Sequence, residues 1–424
     1  MIETLKNAWK IPELRQKIIF TVLMLIIFRI GSVIPVPYLD PSVLSGLFEG
    51  SATIFGYFNI LSGGAFEDAT IFALSINPYI NASIIIQLLT VAIPQLEAMA
   101  KEGVEGRKKL TQITRYATVI LGLVMGFGYY MVLRRYGAVS PDNFFTGLVI
   151  VLTFTAGTAF IMWLGEQITE NGIGNGISII LFAGIISRGP SAVQAVIAMN
   201  QNGTLNVFTT ILIIVLAIAV IAFVVFMSNA ERRIPVSYAK RVVGRKMYGG
   251  QNTHIPLKVN MSGVLPIIFA GSICTFPATI AMLFPAPEVG TFWYNFQQWI
   301  QPNTVPYAVV YFLLIIFFNY FYVAIQFSPV EMANNIKNNG GFIPGIRPGK
   351  PTSDFISRSL SKITFLGAGF LGIIATLPII LSTGFKINLY IGGTSLLIIV
   401  GVALETVRQL ESQMLMRHYK GFLE

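Results

Sequence analysis

Charge is scarce in this chain. Only 11% of its 424 residues are Asp, Glu, Lys or Arg, less than half the roughly 25% of an ordinary soluble domain. So few charges cannot clothe a water-facing surface of this size, which excludes a soluble globular fold. Cys274 is the one cysteine and stands in an apolar run, so no intrachain disulfide can form. The two histidines, His254 and His418, lie outside the apolar runs, which excludes a paired His/acid metal cluster within a membrane. Ionisable groups inside apolar runs are few, with Arg29 in the first and Glu166 at the end of the fourth. An ion-coupled transporter needs several converging at mid-depth. No catalytic set stands out and no cofactor is expected. Gly349-Lys350 looks like the end of a phosphate loop, but Pro344 stands where a Gly is needed and Pro351 replaces Ser/Thr. Gly172-Ile-Gly-Asn-Gly176 follows no strand, so it reads as a flexible entry into the next run and not a dinucleotide fingerprint.

What the chain has instead is ten apolar blocks of roughly 20 residues, the length that spans a bilayer core. They lie near 18–36, 74–94, 113–133, 146–165, 176–196, 207–227, 262–284, 305–327, 363–381 and 389–407. With the N-terminus placed inside, the inside segments hold 24 of the 29 Lys and Arg, counting Arg115 at the foot of the third block. Arg134, Arg135, Arg188 and Lys386 fall outside, and Arg29 within a span. That split obeys the positive-inside rule for ten spans with both termini cytoplasmic, in a cell (plasma or inner) membrane. The first run leads into Pro35-Val36-Pro37 without a small-x-small cleavage site and is read as a retained span.

The expected fold is an all-α integral membrane protein, with ten transmembrane helices in two pseudo-symmetric halves of five (an inverted repeat) and a re-entrant segment. Residues 1–17 read as an amphipathic cytoplasmic helix, 18–200 as the first half, 201–410 as the second, and 411–424 as a cytoplasmic tail. Each half has a second span broken near its start, at Ile76-Asn77-Pro78 and at Gly263-Val264-Leu265-Pro266, a pattern that points to a working site at the repeat interface. Residues 54–68 are apolar but broken by Gly56, Gly63 and Gly64. Too short to span, they are read as re-entering from outside, since irregular backbone at membrane depth needs protein or a water cavity around it. Arg29 lies near the outer end of its span and is expected to snorkel outward in a structural role. Asn77, Asn81, Gln87 and Asn175 are expected to join helices, and Gly122/Gly126 and Gly367/Gly369/Gly372 to let them approach closely. Two long basic loops follow, 229–260 with a hairpin whose tip lies near Gly244, and 328–362 with an irregular exposed stretch around Arg347. Their shape suggests a docking surface for an acidic partner or RNA, beyond an orientation signal.

Five stretches, in order, carry a family likeness: Phe72-Ala-Leu-Ser-Ile-Asn-Pro-Tyr-Ile-Asn-Ala-Ser-Ile-Ile-Ile-Gln-Leu-Leu89, Trp163-Leu-Gly-Glu-Gln-Ile-Thr-Glu-Asn-Gly-Ile-Gly-Asn-Gly-Ile-Ser178, Thr253-His-Ile-Pro-Leu-Lys-Val-Asn260, Phe342-Ile-Pro-Gly-Ile-Arg-Pro-Gly349 and Gly392-Gly-Thr-Ser-Leu-Leu-Ile398. Together they resemble the bacterial SecY family, the channel subunits of the Sec protein translocon. The resemblance implies an hourglass channel whose waist is an apolar pore ring, here Ile76, Ile80, Leu181, Ile268 and Ile398, with Leu181 where isoleucine is usual. It implies a plug around Tyr57, Phe58, Asn59, Ile60, Leu61, Ser62, Gly63, Gly64 and Ala65. It implies docking of the SecA ATPase or the ribosome at Arg245, Lys246 and Arg347, with SecE and SecG as partner subunits. Spans 2 and 7 are expected to form the lips of a lateral gate, with Asn81, Gln87 and Pro266 as its candidate residues, opening to the lipid bilayer for polypeptides bearing signal sequences. A secondary transporter for a small solute is the alternative that matched broken spans allow; an intramembrane enzyme lacks a catalytic pair.

Overall fold

Proline, glycine and the lengths of the apolar runs decide where helices begin and end. The computed structural model describes residues 2–40, 59, 62–201, 206–238, 241–243, 246–248, 252–281, 290–299, 301, 304–385 and 393–420. The first half contains α1 (Ile2–Trp9), α2 (Pro12–Gly31), α3 (Asn77–Ala92), α4 (Pro94–Lys101), α5 (Val104–Arg135), α6 (Phe144–Asn171), α7 (Gly176–Ser187) and α8 (Gly189–Gln201). The second contains α9 (Val207–Asn229), α10 (Leu265–Ala281), α11 (Phe292–Trp299), α12 (Val305–Gln326), α13 (Pro329–Asn338), α14 (Lys350–Phe385) and α15 (Gly393–Lys420). Among the described residues six helices are long and apolar enough to cross a membrane, or seven if the bent pair α3–α4 is one span. Each of the ten apolar blocks overlaps one of these helices, the fifth overlapping α7 and α8 together. The fold is therefore helical and multi-pass. Span 6 is the most apolar, with a mean hydropathy of 3.3, and is covered least by the rest of the chain.

The two broken spans differ from expectation in an instructive way. Pro78 and Pro266 are each the second residue of their helices, α3 and α10. At that position proline's missing N–H costs nothing and its fixed φ suits the helix, so each break is a helix start. The second span accordingly begins at Asn77, and the irregular segment before it runs on past 68 to Ile76, through turns that are mostly buried. Its backbone groups are paired within protein: Val36 N donates to Ala69 O at 3.1 Å and Ile71 N to Ile34 O at 3.0 Å, as buried irregular backbone requires. At the other end α3 stops before Pro94, and α4 turns off at 101°.

The two basic loops fold into one unit. β1 (Glu231–Tyr238) pairs antiparallel with β4 (Asn252–Lys258), Ile234 opposite Ile255, and β5 (Gly341–Phe342) adds to its other side. β2 (Arg241–Val243) and β3 (Lys246–Tyr248) form the expected hairpin further out. Ile234, Val236 and Leu257 pack on Ile336, Ile343 and Ile356 from the second loop. That second loop is more ordered than expected. Ser328 caps α13 by accepting from Glu331 N, and α14 starts at Lys350, well before the ninth apolar block, so between α13 and α14 only 339–340 and 343–349 are irregular.

Three smaller expectations are corrected. Gly172–Gly176 is no flexible entry: Gly176 lies so close to the Gly165 carbonyl that a Cβ would collide with it, and Asn175 Oδ1 caps α7 by accepting from Ser178 N at 3.2 Å. The N-terminal amphipathic helix is shorter than the expected 1–17: α1 ends at Trp9 and residues 12–17 belong to α2. Helix α1 packs against α15, with Ala8 and, from α2, Leu14 buried beside Leu410 and Thr4 Oγ1 donating to Glu411 at 3.2 Å. Gly367 and Gly372 are close-packed as read, but a Cβ on Gly369 would meet open space.

Candidate functional site

The five ring candidates come from four helices in both halves. Ile76 is the residue before α3 and Ile80 lies one turn on, so the two share a face; the Ile80 amide donates to the Ile76 carbonyl at 3.0 Å. Leu181 is on α7, Ile268 on the first turn of α10 and Ile398 on α15. All five are under a tenth exposed and belong to one hydrophobic cluster, which also takes Phe28, Ile84, Ile161, Ile180 and Leu397. The set offers only C–H groups, so it cannot replace the water around an ion. Leu181 keeps the volume of an isoleucine without its β-branch.

Helices α3 and α10 pack against each other. Asn81 is buried with its amide toward Met125 Sδ of α5 at 3.8 Å, Gln87 is exposed, and Pro266 is buried. The start of α10 is fixed by Ser262 Oγ donating to Asn319 Oδ1, while Asn319 Nδ2 donates to Thr364 O at 2.9 Å.

Of the plug candidates, Asn59, Ser62, Gly63, Gly64 and Ala65 are described; Tyr57, Phe58, Ile60 and Leu61 lie outside the described residues. Gly63 and Gly64 have φ of 68° and 97°, a left-handed pair that side chains resist. Gly63 sits against α7, where a Cβ would be 2.8 Å from Ser187 Oγ. Arg29 is exposed, and its Nη1 donates to Gly63 O at 3.1 Å, a structural contact of the kind expected of it. Arg188 Nη2 meets Glu67 Oε2 at 3.0 Å, Asn59 Nδ2 donates to the same oxygen at 2.7 Å, and Glu67 N donates to Asn59 Oδ1 at 3.1 Å. Just beyond, the Tyr129 hydroxyl donates to Phe66 O and the two rings stack 4.2 Å apart.

Arg347 is exposed on the turn before α14, its carbonyl accepting from Thr352 Oγ1 at 2.9 Å. Lys246 opens β3 opposite Val243, and Arg245 lies outside the described residues. Between these loops and the hydrophobic cluster lies a polar cavity of about 300 Å³, lined by Asn175, Ser178, Lys258, Asn260, Glu405 and Arg408 among others.

The SecY family model matches residues 70–407. The chain belongs to the SecY family. It is 46% identical to the protein translocase subunit SecY of Streptomyces galbus, over all of both chains. Its fold is similar to a solved structure concerned with the SecY plug domain and the closed state of the translocation channel, at a TM-score of 0.67 and 20% identity over 94% of this chain and 92% of that one. It is also similar to Sec61 in a canine ribosome–channel complex, at a TM-score of 0.64 and 19% identity over 94% and 92%. Within this SecY fold the residues that sequence reading passed over are Glu67, Arg188 and Tyr129. The available signal was Arg188 itself, one of five basic residues that break the inside–outside charge pattern.

Proposed function

We propose that this chain is the protein-conducting channel of a Sec translocon, passing secretory polypeptides across the membrane and releasing apolar segments sideways into lipid. The observation that carries the reading is the convergence of Ile76, Ile80, Leu181, Ile268 and Ile398, from both halves, in one buried aliphatic cluster. An aliphatic waist makes no sequence-specific contact with an extended chain, deforms around side chains of many sizes, and resists ions by dewetting. Spans 2 and 7 are the lips of the lateral gate, with Asn81, Gln87 and Pro266 along them. When they part, a signal sequence gains roughly 0.3–0.6 kcal/mol for each central Leu or Phe that enters lipid, while polar stretches stay in the pore and cross. The segment around Tyr57–Ala65 is the plug that fills the outer funnel at rest.

The ten spans form two halves, 18–200 and 201–410, with both termini cytoplasmic in the plasma (inner) membrane. The basic unit built from 229–260 and 328–362 receives the driving partner, the SecA ATPase or the ribosome, through Arg245, Lys246 and Arg347; SecE and SecG complete the channel. The ribosome-bound structural relative supports this side of the reading. A small-solute transporter finds no support among the relatives, which are named translocase subunits.

The test is export of signal-bearing proteins. Arg347→Glu abolishes export while the chain still inserts normally into the membrane; unchanged export would count heavily against the channel reading. Deleting Tyr57–Ala65 raises the resting ion leak in planar bilayers, and a conductance no higher than wild type would remove the plug assignment.

A further inference from the structure

Two of the five basic residues outside the positive-inside pattern, Arg29 and Arg188, bond to the same short segment, at Gly63 and Glu67. They come from different elements. Arg29 is in the last turn of α2, and Arg188 is the residue between α7 and α8. Both are held at distances that make charge-assisted hydrogen bonds, and each has an acceptor suited to it: a carbonyl for Arg29, a carboxylate for Arg188. Ser187 Oγ lies 3.4 Å from the Gly63 carbonyl as well, so that oxygen faces donors from spans 1 and 5 together. Glu67 in turn is bonded through Asn59 by both side chain and backbone, closing a ring of contacts from residue 59 to 67.

We infer that Arg188 and Arg29 are positioning residues for the plug: Arg188 clasps Glu67, Arg29 clasps the Gly63 carbonyl, and together they hold the root of the plug segment against spans 1 and 5 in the idle channel. The inference rests on the plug reading above. Between the two clasped residues the segment is fixed at Phe66, which is stacked on Tyr129 and bonded to its hydroxyl, and beyond Glu67 Val36 N donates to Ala69 O. Gly64, left-handed like Gly63, lies between the clasped carbonyl and that fixed foot. A segment tethered at Phe66 can swing only if Arg29 releases Gly63 O and Glu67 releases Asn59, so Arg29 acts on it directly and Arg188 through Glu67, and both contribute to the energy difference between plugged and unplugged states. The ion pair is about a third exposed on each side, so neutralising it has a smaller effect than reversing it. Reversal replaces attraction by repulsion at contact distance.

The experiment measures resting ion conductance in planar bilayers with the channel purified together with its partner subunits. The variants are Arg188→Glu, Glu67→Arg, the double exchange, Arg188→Lys, and the deletion of 57–65. The expected result is a leak about tenfold above wild type for each single reversal, a value for one lost contact of roughly 1.4 kcal/mol. The double exchange and Arg188→Lys return to near the wild-type level, which a merely misfolded single variant would not allow. A deletion that leaks beside single reversals that do not would overturn the clasp and leave the plug standing. A leak in Arg188→Glu that Glu67→Arg fails to reverse would also overturn it, by placing the effect elsewhere. A tight deletion variant would instead remove the plug reading itself.

Discussion

At the scale of single residues, glycine placement shows how tightly the first half is built. Gly176 opens α7 against the Gly165 carbonyl, and Gly157 is pressed on the Ile71 carbonyl in the irregular segment before α3. Neither site can take a methyl group without moving backbone. Gly176→Ala is therefore expected to destabilise the chain by about 1–3 kcal/mol through overpacking, read as a lower thermal midpoint in detergent. Gly369→Ala is the matching control: its Cβ would meet open space within a helix, so the alanine raises stability by about 0.5–1 kcal/mol from helix propensity. Midpoints that move together would refute the packing argument. The glycine cluster itself stood out in the sequence, but its role did not. Read locally it was flexibility, because only the fold brings Gly165 up to Gly176. The same holds for Arg188 and Glu67, which meet across 121 residues; a sequence shows that a charge is out of place, not which carboxylate it has found.

At the scale of elements, the legible features were those with a local cause. Block length placed the helices, Pro78 and Pro266 drew attention to the two sites that prove to be helix starts, and the hairpin expected near Gly244 is met by β2 and β3. What escaped was that the two basic loops are one structure. Nothing in Gly341-Phe342 reads as a strand, since two residues carry no period; they pair only because β1 has a free edge beside them. That pairing ties the second loop, five residues before Arg347, to β1. Gly341 sits where a Cβ would come within 2.9 Å of Tyr238 Cε1 and 3.1 Å of Ile336 Cγ2. Gly341→Val should separate β5 from β1 and leave the two loops to move independently. A partner that binds both then bears the cost of ordering them, so if the proposed docking of SecA uses both loops, its affinity for the channel in nanodiscs falls by about threefold or more. No basic residue is altered, so an unchanged affinity would show that the loops are recognised separately.

At the scale of the whole molecule, the proposed seal would be a property of the cluster and not of any one member. Phe28, Ile84, Ile161, Ile180 and Leu397 back the five ring candidates, so each ring side chain rests on other hydrocarbon. Volume-conserving changes are then absorbed by neighbours: Leu181→Ile should leave resting conductance near wild type, because the core keeps its volume and its apolar character. Ile268→Asn changes the chemistry instead. It places a donor and an acceptor at the start of α10, where the surrounding groups are apolar, and a buried amide without partners recruits water. Water at the waist is what an ion needs to pass, so Ile268→Asn is expected to raise conductance severalfold in planar bilayers while Leu181→Ile does not. This leak differs in kind from one caused by breaking the Arg188–Glu67 pair, because recharging the plug root cannot cure it. The exchange restores the contact at residue 67 and leaves residue 268 polar, so adding Arg188→Glu and Glu67→Arg to Ile268→Asn should leave its current unchanged; a current that fell would mean that this contact can compensate for water at the waist.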